Sequence, residues 1–289
     1  MWFWYAFFSA LSSAVSVILN KRALNKINAS LVSWSLFVFS LPLLAYPAFK
    51  NGLPKINTMF WIASISSVFI YSLGKTLSLR SIKSNLMSEI IPLSLFGVLF
   101  QYIFGLILFS EKLNFISISG LILIIIGGYF LKIEEAKEDF LKPFKLLFTN
   151  KGAFFYLIAF TLMVLASALD KMSLINMKPV NQSFYLFWTN LLSTILIGGY
   201  LVKNDKNWIE DLKNNFWLLF VGGLIFYLVS IFYLYGITDG PLALVSGVKK
   251  LEVFFVLLLG WFLFKDKPKI GVWIGSLIML LGVILIKIG

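Results

Sequence analysis

Long apolar runs separated by short polar breaks organise this chain. Ten of them approach the ~20 residues a helix needs to cross a bilayer. The first five lie near Trp2–Leu19, Ser30–Phe49, Thr58–Leu79, Asn85–Phe109 and Phe115–Leu131. The second five lie near Gly152–Leu169, Asn181–Val202, Phe216–Tyr235, Pro241–Phe264 and Ile270–Ile286. One polar interruption is long: Lys132–Lys151, with Glu134, Glu135, Glu138 and Asp139 among its lysines. It separates residues 1–131 from 152–289, and residues 132–151 read as a linker able to form a short amphipathic surface helix. The pattern predicts an all-α polytopic membrane protein.

The two halves repeat. Asn20-Lys21-Arg22-Ala23-Leu24 after the first span corresponds to Asp170-Lys171-Met172-Ser173-Leu174 after the sixth, 150 positions on. Phe60-Trp61 and Tyr71 correspond to Phe216-Trp217 and Tyr227 at an offset of 156. Glu111-Lys112 corresponds to Asp266-Lys267 at 155; at that same offset Gly120 and Gly127 correspond to Gly275 and Gly282, and Lys132-Ile133 to Lys287-Ile288. Collinear matches with so little drift point to duplication. Five spans is an odd number, so the second copy enters the membrane upside down. Two inverted five-helix repeats are a recurrent architecture of secondary transporters, with the site near midplane between the halves.

Composition narrows the chemistry. The 289 residues are 60% hydrophobic and 13% charged, with a mean hydropathy of +0.91. There is no Cys and no His, which removes disulfides, thiolate or His-ligated metals and the commonest proton relay. The net charge of +12 would suggest nucleic acid in a soluble protein. Here most basic residues sit at span ends, where they meet lipid headgroups, so no nucleic-acid partner is expected. The first span lacks a basic leader and a small-residue cleavage site, and it reads as a retained helix. Of the 25 Lys and Arg, Lys75, Lys249 and Lys250 lie inside spans. Six flank the even-numbered ends (Lys50, Lys55, Lys112, Lys171, Lys178, Lys287), and the other 16, from Lys21 to Lys269, flank the odd-numbered ends. The positive-inside rule then puts both termini outside.

The stretch Gly240–Phe264 holds Lys249, Lys250 and Glu252 near its middle. Insertion scales charge roughly 2.5–3.5 kcal/mol for a central Lys or Asp, so such groups normally face a cavity or a partner. Neighbouring residues on a helix point ~100° apart. Glu252, three residues on, shares the face of Lys249 and is placed to neutralise it. Lys250 is then the cation left for a substrate, although capping a helix break is the structural alternative for both lysines. Glu252, and Glu89 three residues before the helix-bending Pro92, are candidates for carrying a proton. Lys75 fits either a site or snorkelling towards Arg80. Tyr71, Tyr227 and Gln101 offer hydrogen bonds to a ligand, with core packing as the plainer reading. Asp170-Lys171 reads as an interfacial ion pair. The glycines at 120, 127, 275 and 282 allow close helix approach, and Trp2, Trp4, Trp208 and Trp217 fit interfacial belts.

Phe109-Ser110-Glu111-Lys112-Leu113 and Phe264-Lys265-Asp266-Lys267-Pro268, each ahead of a Gly-containing last helix, resemble the acidic turns of the EamA-type branch of the drug/metabolite transporter superfamily. Gly240-Pro241-Leu242-Ala243 resembles that family's entry into its ninth helix. Asn20-Lys21 and the basic pair Lys249-Lys250 are similar to features of sugar-phosphate and nucleotide-sugar translocators. The repeat offset places Ser94 where such a translocator carries a second basic residue, which counts against phosphate exchange. The resemblance implies cytoplasmic termini, opposite to the charge count.

The expected function is secondary active transport of a small organic metabolite, anionic or zwitterionic, by alternating access. The alternatives are export of hydrophobic or cationic compounds, or flipping of a lipid-linked sugar. The chain is not expected to be an enzyme, and its location is the plasma or inner membrane. Substrate and bilayer are the expected partners, with a homodimer as a possible assembly. No cofactor is implied beyond a coupled proton or counter-substrate. The candidate substrate-binding residues are Lys249, Lys250, Glu252, Glu89, Lys75, Tyr71 and Tyr227.

Overall fold

A computed structural model describes residues 1–84, 96–130, 151–264 and 270–289. Glu89, Pro92, Ser94, the linker and the Lys265–Pro268 turn lie outside the described residues. The helices of the first half are α1 (Trp2–Leu24), α2 (Ala29–Phe49), α3 (Thr58–Ser84), α4 (Phe96–Phe109) and α5 (Phe115–Phe130). Those of the second are α6 (Lys151–Ile175), α7 (Gln182–Asn204), the short α8 (Trp208–Asn214), α9 (Phe216–Asp239), α10 (Leu242–Lys249), α11 (Leu251–Phe264) and α12 (Ile270–Ile288). Two-residue strands β1 (Lys55–Ile56) and β2 (Met177–Lys178) complete the elements.

Among the described residues six helices (α1, α2, α3, α6, α7 and α9) are long and apolar enough to span a membrane, and shorter apolar helices accompany them. Their outer faces carry Ile62, Leu73, Ile195 and Leu277, all more than half exposed. Such surface is stable only against lipid. Asparagine fixes several helix starts: Asn28, Asn57, Asn114 and Asn181 each accept a hydrogen bond from a backbone N–H two or three residues on. That is the favoured N-cap chemistry.

The halves interlock as an inverted repeat requires. Under the exchange of α1 with α6, α2 with α7, α3 with α9 and α5 with α12, the packing pattern maps onto itself. Thus α1 packs on α9 as α6 packs on α3, while α2 packs on α7 and α5 on α12. The self-paired helices run antiparallel. Asn190 Nδ2 donates to Ser40 Oγ at 2.8 Å and Asn181 Nδ2 to Ala48 O at 3.0 Å. Between α5 and α12, a Cβ on Gly120 would lie 2.6 Å from Gly282 O, and one on Gly282 would lie 2.6 Å from Gly120 O. A Cβ on Gly127 would lie 2.7 Å from Gly275 O. Glycine at these positions lets the two backbones touch, so the repeat's matching glycines meet head to tail across the axis.

All described chain turns at one end, here the terminal face, are tied together. β1 pairs antiparallel with β2, Lys55 opposite Lys178. Asn114 Nδ2 donates to Gly289 O at 2.6 Å. Trp2 does not project into a belt but packs against Gly240, whereas Trp217 is 74% exposed at the start of α9. The expected ninth helix is not continuous. The Lys250 N–H reaches both Ser246 O at 3.2 Å and Gly247 O at 3.0 Å, a tightened turn that ends α10 and starts α11 at Leu251.

Candidate functional site

A cavity of about 260 Å³ lies between the halves. Its wall takes residues from α1, α2, α3, α4, α6, α7, α9, α10 and the first turn of α11. On α6 the lining residues Tyr156, Phe160, Val164, Ser167 and Asp170 recur every three or four positions, so one helix face forms the wall. At 1.5 Å per residue, Phe160 and Asp170 mark levels ~15 Å apart.

One part of the wall is cationic. Lys75, Lys249 and Lys250 all line it, each ammonium over an aromatic ring. Lys249 Nζ is 4.5 Å from the Tyr233 centroid, Lys250 Nζ 4.5 Å from Phe160 and Lys75 Nζ 5.5 Å from Phe226. Lys250 is 6% exposed. A ring face attracts a cation by ~2 kcal/mol once water is removed, which helps hold ammonium groups at this depth. Lys75 lies within electrostatic reach of Lys249 and Glu252, so these groups form one cluster. Ser13 Oγ of α1 donates to Glu252 Oε2.

Towards the terminal face the wall is neutral and acidic. Ser67 Oγ and Tyr185 OH both donate to Asp170 Oδ1, the tyrosine at 2.6 Å. Beside it, Tyr233 OH donates to Ser167 Oγ at 3.0 Å and stands 3.2 Å from Ser246 Oγ, and Gln101 Nε2 donates to Ser167 Oγ at 3.2 Å. Tyr71 also lines the cavity, its ring edge-on to Phe37.

Beyond Asp170 a latch closes the terminal face. Lys171 Nζ contacts Glu111 Oε1 at 2.5 Å and Gly240 O at 2.7 Å. Glu111 Oε2 accepts the Leu242 N–H at 2.8 Å, capping α10 from another segment. Gly105 leaves room for this carboxylate, since a Cβ there would sit 2.6 Å from Oε2. Lys171 is 8% exposed. A pair this enclosed is strongly destabilised by losing one partner.

Several expectations need correcting. Lys249 and Glu252 share the cavity wall within electrostatic reach of one another, as their spacing predicts, though no direct ion pair joins them among the described residues. Asp170 and Lys171 are not an ion pair: neighbours on a helix diverge, so Asp170 faces the cavity and Lys171 the latch. Tyr227 is absent from the cavity wall and packs against the apolar core. Glu89 lies outside the described residues. Lys75 points into the cavity. Asp170, Tyr185, Tyr233, Ser67 and Ser13 join the site unanticipated; for Asp170 the signal was present, as the repeat partner of Asn20. Among the described residues no three or more Asp or Glu gather as a metal site.

The EamA-like transporter family matches residues 1–133 and again 150–288. The chain belongs to the EamA-like transporter family. This is a multi-pass integral membrane protein of a family that transports small molecules, and its relatives' names point to transport and not to catalysis. An uncharacterized transporter of Haemophilus influenzae is 33% identical over 131 residues, 43% of this chain. That alignment spans 42% of the relative, less than half its length. A protein of known crystal structure superposes with a TM-score of 0.72 at 13% identity, over 99% of this chain and 96% of the other. It shares the fold.

Proposed function

We propose that this EamA-family protein is a secondary active transporter of a small anionic or zwitterionic metabolite in the plasma or inner membrane, working by alternating access. The observation that carries the reading is the convergence of Lys75, Lys249 and Lys250 on one wall of the central cavity. Three ammonium groups gathered on one wall favour an anionic group beside them. The rings of Phe160, Phe226 and Tyr233 offer surface for the substrate's apolar part. The inverted halves supply the two-state element: opening the latch while the opposite face closes would move the cavity's access from one side to the other.

Thermal unfolding of detergent-purified protein tests the charge preference, with citrate, glutamate, leucine and tetraphenylphosphonium as probes. A ligand binding only the folded state adds ~2.7 kcal/mol at a hundredfold excess over its Kd. The reading expects citrate, glutamate or leucine to raise the Tm of the wild type, and Lys249→Gln to lose that shift. Stabilisation by tetraphenylphosphonium alone would replace it with a cation exporter.

A further inference from the structure

We propose that Asp170 is the proton-coupling group, and that loss of its charge releases the terminal face. The proposal rests on the alternating-access reading. It does not use the lysine cluster or Glu252, which lies within that cluster.

The geometry at Asp170 is lopsided. Both of its hydrogen bonds, from Ser67 and Tyr185, fall on Oδ1. Among the described residues Oδ2 has no hydrogen-bond or ion-pair partner, and Asp170 lines the cavity. A metal cation needs several oxygen ligands at fixed distances, and one free carboxylate oxygen does not supply them. A proton needs only that oxygen. Taking one from a hydronium ion in the cavity breaks an O–H bond there, forms one at Oδ2, leaves neutral water behind and removes a buried charge.

The repeat provides an internal control. Asn20 occupies the equivalent position in the first half and also lines the cavity. Among the described residues the uncharged amide there bonds only locally, Nδ2 to Ser16 Oγ at 3.3 Å. The helix end therefore packs without a carboxylate, and the charge at Asp170 is not a requirement of the fold.

Protonation has a mechanical outlet. The two bonds to Asp170 tie α3 and α7 to α6 immediately next to the latch, where Lys171, the following residue, holds Glu111 and Gly240. Bonds to a charged acceptor are about twice as strong as neutral ones. Neutral Asp170 weakens this clasp chiefly at α7, because Ser67 Oγ keeps a bond to α6 through Ala166 O at 3.2 Å. The titratable and charged groups facing Asp170 are Tyr71 of α3, Tyr185 of α7 and Tyr233 of α9; α4 presents only Gln101. Lys249 lies over the Tyr233 ring, and the Lys171–Glu111 pair lies beyond. An ordinary tyrosine keeps its proton from acid to neutral conditions, so none of these three competes with Asp170 for the proton.

Nitroxide labels on Lys55→Cys and Lys178→Cys read the clasp, since the chain has no native cysteine and these residues face each other across the β1–β2 pair. In phosphatidylethanolamine–phosphatidylglycerol vesicles, the separated fraction of spin pairs is expected to rise as pH falls. Asp170→Asn is expected to show the acid level of separation at every pH, and Glu252→Gln to titrate like the wild type. Tyr185→Phe, which keeps the carboxylate but removes a donor to its charged form, is expected to move the midpoint to higher pH. It keeps the test decisive should Asp170→Asn not fold. Separation that ignores pH in the wild type, a titration that survives Asp170→Asn, or an unmoved midpoint in Tyr185→Phe would each overturn the proposal while leaving alternating access intact. No separation under any condition would overturn alternating access as well.

Discussion

Asn20-Lys21 and Asp170-Lys171 occupy equivalent places in the two halves, at opposite ends of one cavity. Both first residues line the cavity wall. In the first half this is a neutral amide with a bond to its own helix. In the second it is a carboxylate clasping two neighbouring helices, followed by a lysine holding a buried latch. A duplicated scaffold thus keeps its backbone symmetry and breaks its charge symmetry. The difference teaches where to look for function: packing needs only what both copies share, and the excess charge in one copy is free for other work.

The largest expected effect lies at the latch. Lys171→Met strands Glu111 in a site 13% exposed and is expected to cost about 3–5 kcal/mol. Adding Glu111→Gln should restore part of that loss in a double-mutant cycle read by thermal unfolding. If the two losses simply add, the pair is not coupled and the latch is no asset of the second half. Next comes what the halves share. Gly120→Ala places a Cβ 2.6 Å from the Gly282 carbonyl and is expected to cost about 1–3 kcal/mol. Gly260→Ala meets no atom within 4 Å and should be close to neutral by the same assay. The smallest change rebuilds the missing charge: Asn20→Asp should destabilise by ~1 kcal/mol, near the low end for burying a polar group without a partner, because the cavity side is open. Acid should relieve this loss, since protonated Asp is neutral as Asn is. An Asn20→Asp protein whose stability relative to wild type ignores pH would mean that position 20 is fully solvated.

Much of this was legible in the sequence. Apolar run length gave the helices, and the offset of 155 paired Gly120 and Gly127 with Gly275 and Gly282 before any packing was known. The family resemblance rested on the acidic turns, of which Glu111 proves to be part of the latch. The site was harder. Adjacent opposite charges at Asp170-Lys171 suggest an ion pair, yet the ~100° between helix neighbours sends them to different places. A helix break at Lys249-Lys250 is one of two readings of that pair, and its apolar flanks, which continue a helical pattern on both sides, do not decide between them. Which tyrosine meets the cavity depends on helix rotation, and a span apolar all round leaves rotation unmarked. Tyr233 therefore lines the wall and Tyr227 does not.

The most direct test of alternating access is cavity labelling with the terminal face locked. Cysteines at Lys55 and Lys178 fall within disulfide reach, since facing residues of antiparallel strands have Cα atoms ~4.5–5.5 Å apart. A third cysteine at Ser230, on the cavity wall, is treated with an impermeant maleimide from each side, and its modification is read by peptide mass spectrometry. With the disulfide formed, residue 230 should be modified only from the face opposite the termini. After reduction, labelling from the terminal face should appear. Labelling from the terminal face with the disulfide intact, or none from that face after reduction, would contradict the account.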